Sequence, residues 1–258
     1  MASSAQRPGA SGPVRGGFLA EAARTLRPPA GDRHGPLAPL MLVLTLVTGI
    51  VDAVSYLRLG HVFVANMTGN VVFIGFALAG ASGLSAATSL AAIGAFLVGA
   101  LAGGRIASSL APVHRGRMLR AATSLQAGLI VIAFVVAVAL AESPSGGERY
   151  ALIVPLALAM GVQNAAAQRL AVPELTTTVL TRTLTGLASE ARVLGGPGSQ
   201  AGRRLLAVGA MLLGALGGGL LALHVSIAAA LGAAVAAVGV VVVAAHLASR
   251  SLAPWTKA

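Results

Sequence analysis

The chain has 258 residues, of which 56% are hydrophobic and only 10% charged, with a mean hydropathy of +0.86 and a formal net charge of +11. That balance excludes an ordinary soluble domain. The absence of cysteine excludes disulfides, thiolate metal sites and cysteine nucleophiles, and the five histidines are scattered with no ligand-like spacing.

Residues 1–36 are rich in Gly, Pro, Ala and Arg and hold no apolar core of a signal peptide, so they read as a disordered basic cytoplasmic tail. Six apolar runs follow: Leu37–Leu59, Ser85–Leu110, Leu119–Ala141, Tyr150–Gln168, Leu205–His224 and Val225–Ala248. At ~1.5 Å per residue each covers a hydrocarbon core of about 30 Å. Residues 142–149 make a short external loop and 249–258 a second cytoplasmic tail. Two further segments, Val62–Gly80 and Glu174–Glu190, are too polar for lipid-exposed spans: the first holds Asn66, Thr68 and Asn70, the second several threonines and Arg182.

Charge decides how these two segments run. If both dip into the membrane and return, six crossings remain, and fifteen of the eighteen Lys/Arg lie on the side of the termini. Only Arg58 and Arg149 then lie opposite, with Arg182 in the membrane. If both cross, the tally falls to eleven against six. The positive-inside rule favours six crossings with both termini inside, and Tyr56 and Tyr150 then fall at the outer interface. The expected fold is therefore all-α, with six transmembrane helices and two re-entrant or broken helical segments. The alternative is eight spans in a parallel 4+4 arrangement.

Two stretches echo each other about 112 residues apart. Thr48-Gly-Ile-Val-Asp-Ala-Val-Ser-Tyr56 with Asn66-Met-Thr-Gly-Asn70 answers Met160-Gly-Val-Gln-Asn-Ala-Ala-Ala-Gln168 with Leu180-Thr-Arg-Thr183. A third pair, Gly99-Ala-Leu-Ala-Gly-Gly104 and Gly214-Ala-Leu-Gly-Gly-Gly219, repeats at a spacing of 115. With six crossings the first copy (37–141) starts inside and the second (150–248) outside, an inverted 3+3 repeat of the kind that places transporter sites near the midplane. The glycines four apart read as close helix packing.

Asp52 is the most pointed residue, because an ionised carboxylate at that depth costs several kcal/mol unless paired or hydrated. Gly49, Asp52, Ala53 and Tyr56 share one helix face, and Gly161, Asn164, Ala165 and Gln168 share the equivalent one. Asp52, Asn66, Thr68, Asn70, Asn164, Thr181 and Arg182 are thus the candidate lining of an ion or solute pathway. The competing reading makes Asp52 a structural hydrogen-bond partner, of a threonine or of Arg182. Gln126 reads as packing, and Pro155 as a kink in its helix.

The Thr48–Tyr56 run, Val62-Phe-Val-Ala-Asn-Met-Thr-Gly-Asn70 and Gly161-Val-Gln-Asn-Ala165 resemble the YoaK-like bacterial membrane proteins, over roughly Leu37 to Ala248. The resemblance implies a polytopic protein of the bacterial cytoplasmic membrane and carries over no activity. The family pattern has a glycine in the second Thr-x-Thr motif where this chain has Arg182, so the two halves need not keep equivalent sites. Arg182 would then be a built-in cation, paired with Asp52 or facing an anion.

A transporter or channel for a small polar solute or ion is the function these residues point to, with a membrane scaffold or accessory subunit as the alternative. An enzyme is not expected: Asp52 is the one membrane-buried acid and no Ser–His pairing is evident. No cofactor or metal is implied. The partners expected are the lipid bilayer and an unknown small solute or ion, with no nucleic acid, since the arginines sit in tails and loops. A homo-oligomer is compatible with the sequence.

Overall fold

Apolar runs of twenty or more residues can satisfy their backbone groups in lipid only by coiling into helices, and the computed structural model does so throughout. It describes residues 18–29, 31–140, 144, 146–172, 185, 201–251 and 253–256. The helices are α1 (Phe18–Leu26), α2 (Leu37–Arg58), α3 (Met67–Leu78), α4 (Ala86–Leu110), α5 (Arg115–Ala139), α6 (Glu148–Leu170), α7 (Ala201–His224) and α8 (Ile227–Ala248), with a 3₁₀ turn at Pro254–Thr256. Six of them (α2, α4, α5, α6, α7 and α8) are long and apolar enough to cross a membrane. There is no strand among the described residues.

Hydrogen bonds sort the helix ends into two groups. At what we term the Leu37 end, Trp255 packs over Gly35 and its carbonyl accepts from Arg115, whose guanidinium also donates to the Leu170 carbonyl. His114 belongs to the same cluster: its Nδ1 accepts from the amides of Gly116 and Arg117, so Nε2 carries the proton and donates to the Ser251 carbonyl at 2.9 Å. At the opposite, Arg58 end, Arg58 donates to the Ala222 carbonyl at 2.8 Å and Thr88 Oγ1 lies 3.3 Å from the Tyr150 hydroxyl. The long helices therefore alternate in direction, and α2 and α6 start at opposite ends. The 59–85 connection leaves the Arg58 end and returns to it.

Most of α2 and α6 is buried, whereas α4, α5, α7 and α8 turn large apolar side chains such as Leu97, Val131, Leu212 and Val243 outward. Each central helix is clasped by a glycine-bearing helix from the other half of the chain, α2 by α7 and α6 by α4. A methyl group at Gly49 would strike the backbone at Met211 and Ala215, and one at Gly161 would strike it at Phe96 and Ala100. Reciprocally, Gly214 and Gly218 face Leu46 and Ile50, and Gly99 and Gly103 face Leu158 and Val162. Position by position, these contacts differ by the same offsets of 112 and 115 that separate the sequence motifs. The glycines are there because the helix backbones touch.

The predicted helix limits hold to within a few residues, and within the N-terminal tail one stretch departs from the expectation. Phe18–Leu26 is a helix rather than a disordered stretch: it packs on α7, buries Thr25 and offers the Glu21 carboxylate to the Gly202 amide at 3.2 Å. The acid sits at the start of α7, where the first helical amides lack intrahelical acceptors. The C-terminal tail is likewise anchored through Ser251 and the buried Trp255. The second polar segment, 174–190, lies outside the described residues apart from Thr185.

Candidate functional site

The site begins with the turn after α2. Gly60 and His61 take positive φ, 97° and 55°, and reverse the chain so that residues 62–66 run back alongside α2 without regular secondary structure, bent at Val64 and Ala65. A non-helical segment at membrane depth exposes amides that lipid cannot satisfy. Asp52 supplies the acceptor. Its Oδ1 accepts from the Val64 amide at 3.0 Å and the Ala65 amide at 2.8 Å. Asn70 does the same from the next turn of α3, accepting from the Phe63 amide at 2.9 Å and donating to the Phe63 carbonyl at 2.6 Å. Phe63 itself stacks between Tyr56 and Phe73, with ring centroids 5.1 and 5.7 Å away. Two side chains and an aromatic stack thus pin the dip, and α3 starts from its tip at Met67.

A cavity of about 1030 Å³ lies between that tip and helices α2, α4 and α6. Asp52, Asn66, Thr68 and Asn164 all line it, and Thr48 and Gln168 join them. Asp52 is only 4% exposed, and its second oxygen, Oδ2, has no hydrogen-bond partner among the described residues. Asn66 and Thr68 are exposed at the tip of the dip, where the first amides of α3 lack intrahelical acceptors. Asn164 donates to the Met160 carbonyl of its own helix at 2.9 Å. Arg169 lines the same cavity from the last turn of α6, so the described lining holds one acid and one cation.

Four of the seven candidate residues come together in this way. Asn70 does not line the cavity: it is fully buried, with its amide engaged by Phe63 and the Met67 sulfur. Thr181 and Arg182 lie outside the described residues. The partner of Asp52 is neither a threonine nor any described arginine but backbone.

Sequence reasoning passed over Gln163. Its Nε2 donates to Thr48 Oγ1 at 2.8 Å and to the Leu44 carbonyl at 3.3 Å, and its Oε1 accepts from Gln126 at 2.6 Å. This chain ties α2, α6 and α5 together in the middle of the bundle. The signal was present: Gln163 and Gln126 are the two glutamines inside apolar spans away from the helix ends. Arg169 was also missed, because a basic residue ending a span reads as a topology anchor. Among the described residues no three His, Asp or Glu side chains gather to hold a metal ion.

The family model for the protein of unknown function DUF1275 matches residues 40–244. The UPF0700 transmembrane protein YoaK of Bacillus subtilis (strain 168) is 33% identical over 151 residues, which is 58% of this chain and 65% of that protein. The matched stretch thus spans less than two thirds of the relative's length. No solved structure matches the chain. The family match takes in the helices of both halves of the bundle and the dip between α2 and α4. This multi-pass membrane protein therefore belongs to the DUF1275 family, the YoaK-like proteins its motifs resemble.

Proposed function

We propose that the protein moves a small polar solute or ion across the membrane, with the cavity beside Asp52 as its binding site. The single observation that carries this reading is the Asp52 carboxylate. One oxygen is spent on the backbone of the dip, while the other is buried without a hydrogen-bond partner among the described residues, and the residue lines a cavity between the helices. A purely structural acid would have both oxygens engaged, since an unmet buried acceptor is destabilising by about 1–3 kcal/mol. Asn66, Thr68 and Asn164 would supply hydroxyl and amide contacts, and the first amides of α3 would supply donors.

The same proposal includes the architecture. An inverted duplication is supported by the antiparallel course of α2 and α6 and by the matched glycine contacts. Termini inside are supported by the arginines. Among the described residues only Arg58 and Arg149 sit at the Arg58 end, while Arg33, Arg105, Arg115, Arg117, Arg169 and Arg250 are among those at the Leu37 end. The described lining has no second carboxylate and no nucleophile–base pair, so a reaction is not part of the proposal.

The test uses the cysteine-free chain directly. Thr68→Cys and Asn164→Cys, each alone, are exposed in membrane vesicles to an impermeant thiol reagent from one side and then from the other. A conducting cavity is reached from both sides, in turn or together. Reaction from one side only, under every solute condition, would leave a static vestibule and favour the scaffold reading.

A further inference from the structure

The Leu37 end carries a second cavity, of about 730 Å³, which shares Arg169 with the first. Arg33 and His34 line it from the link before α2, Arg115 from the start of α5, Arg169 from the end of α6, and Trp255 from the C-terminal turn. No acidic residue appears in its described lining. The nearest described carboxylate in sequence, Asp32, is turned to the His34 backbone amide at 2.7 Å.

The local field is positive. Burial pushes the His34 ring below its ordinary pKa, and the Arg115, Arg203 and Arg33 guanidiniums push it the same way against Asp32. Two buried nitrogens, His34 Nδ1 and Arg203 Nε, have no hydrogen-bond partner among the described residues. Arg115 is fixed by the carbonyls of Leu170 and Trp255, so it contributes charge without needing to move.

We propose that this cavity binds a phosphate-bearing anion. Guanidinium forks match phosphate oxygens two at a time. The volume suits a phosphate ester better than a halide, and the tryptophan wall suits a group with an apolar portion. The site lies level with the ends of the six long helices, where lipid headgroups lie. Two sources share this chemistry, the headgroup of an anionic lipid and a soluble phosphate. The proposal stands whether or not the deeper cavity conducts.

The experiment measures the Tm of the full chain in neutral detergent. Inorganic phosphate, short-chain phosphatidylglycerol and short-chain phosphatidylcholine are added separately. The expected result is a rise of roughly 5 °C at about a hundredfold excess over Kd, with one or both phosphate anions and not with the zwitterionic lipid. A rise with phosphatidylglycerol alone assigns the site to lipid; an equal rise with inorganic phosphate assigns it to a soluble ligand. The Arg33→Gln/Arg169→Gln double variant loses at least half the rise, while Arg105→Gln, on the exposed face of α4, keeps it. Arg33 is exposed, so Arg33→Gln alone serves if the double variant does not fold. No rise with either anion, or a rise that survives loss of the lining arginines, overturns the proposal.

Discussion

Two variants of Asp52 separate its two oxygens. Asp52→Ala removes the acceptor of the Val64 and Ala65 amides, both on buried residues. Each unmet buried donor is destabilising by about 1–3 kcal/mol, so the sum is roughly 2–6 kcal/mol. Partners found in the unfolded, membrane-embedded state bring this toward the lower half, about 3 kcal/mol. Asp52→Asn keeps a carbonyl oxygen where Oδ1 stands and removes only the acidic function of Oδ2, so its stability should stay within about 1 kcal/mol of the parent. Thermal unfolding in one detergent measures both, and limited proteolysis of residues 60–66 reports on the dip itself. Two-sided labelling at Thr68→Cys then asks whether Asp52→Asn, folded as well as the parent, still cycles. The reasoning fails in two separable ways. If the alanine and asparagine variants are equally stable, Oδ1 does not hold the dip. If the asparagine variant labels from both sides at the parental rate, Oδ2 has no part in transport.

Gly161→Ala and Gly49→Ala should each lose about 1–3 kcal/mol from backbone collision, whereas Gly94→Ala and Gly217→Ala, with open space at the new methyl, should stay within about 1 kcal/mol of the parent; parity of all four in a denaturation series would refute the close approach. Gln163→Leu and Gln126→Leu should each cost about 1 kcal/mol and combine non-additively, because the second removes a bond already lost; an additive double-mutant cycle would show that the 2.6 Å contact carries no coupling energy. His34 has its folded pKa depressed below the ordinary 6.5, so its neutral form is fully compatible with the fold above that value, and stability is lost as pH falls through it. The Tm of the parent should therefore drop more than that of His34→Gln between pH 7.5 and 5.5, and a parallel drop in both would remove His34 from the acid sensitivity.

The spans were legible because hydropathy in a bilayer is a nearly one-dimensional signal: backbone satisfaction forces helices wherever the apolar run is long enough. The dip was legible as a segment too polar to face lipid, and Arg58, Tyr56 and Tyr150 placed its ends. Its internal structure was not legible. Nothing local says that residues 62–66 are irregular while 67–78 are helical, because that choice is made by Asp52 twelve residues upstream and by Phe63 stacking between Tyr56 and Phe73. For the same reason Asn70 looked like pathway and is a pin. Its polarity was visible, but the identity of the group it satisfies is a tertiary fact. The helix at 18–26 was hidden by the arginine-rich composition around it and depends on α7 for its partner surface.

Asp52 and Asn164 stand at equivalent places in the two motifs, and the difference between acid and amide follows from what each must do. Two backbone amides converge on one oxygen of Asp52, and a carboxylate offers lone pairs for both. Asn164 instead donates to the Met160 carbonyl, a bond that a carboxylate could not make. Exchanging the two residues tests this directly. Asp52→Asn/Asn164→Asp should unfold more readily than Asp52→Asn alone, because the new carboxylate would face the Met160 carbonyl with an acceptor opposite an acceptor. A swap as stable as the parent would mean that the two positions are interchangeable, and that the asymmetry read from their hydrogen bonds has no energetic content.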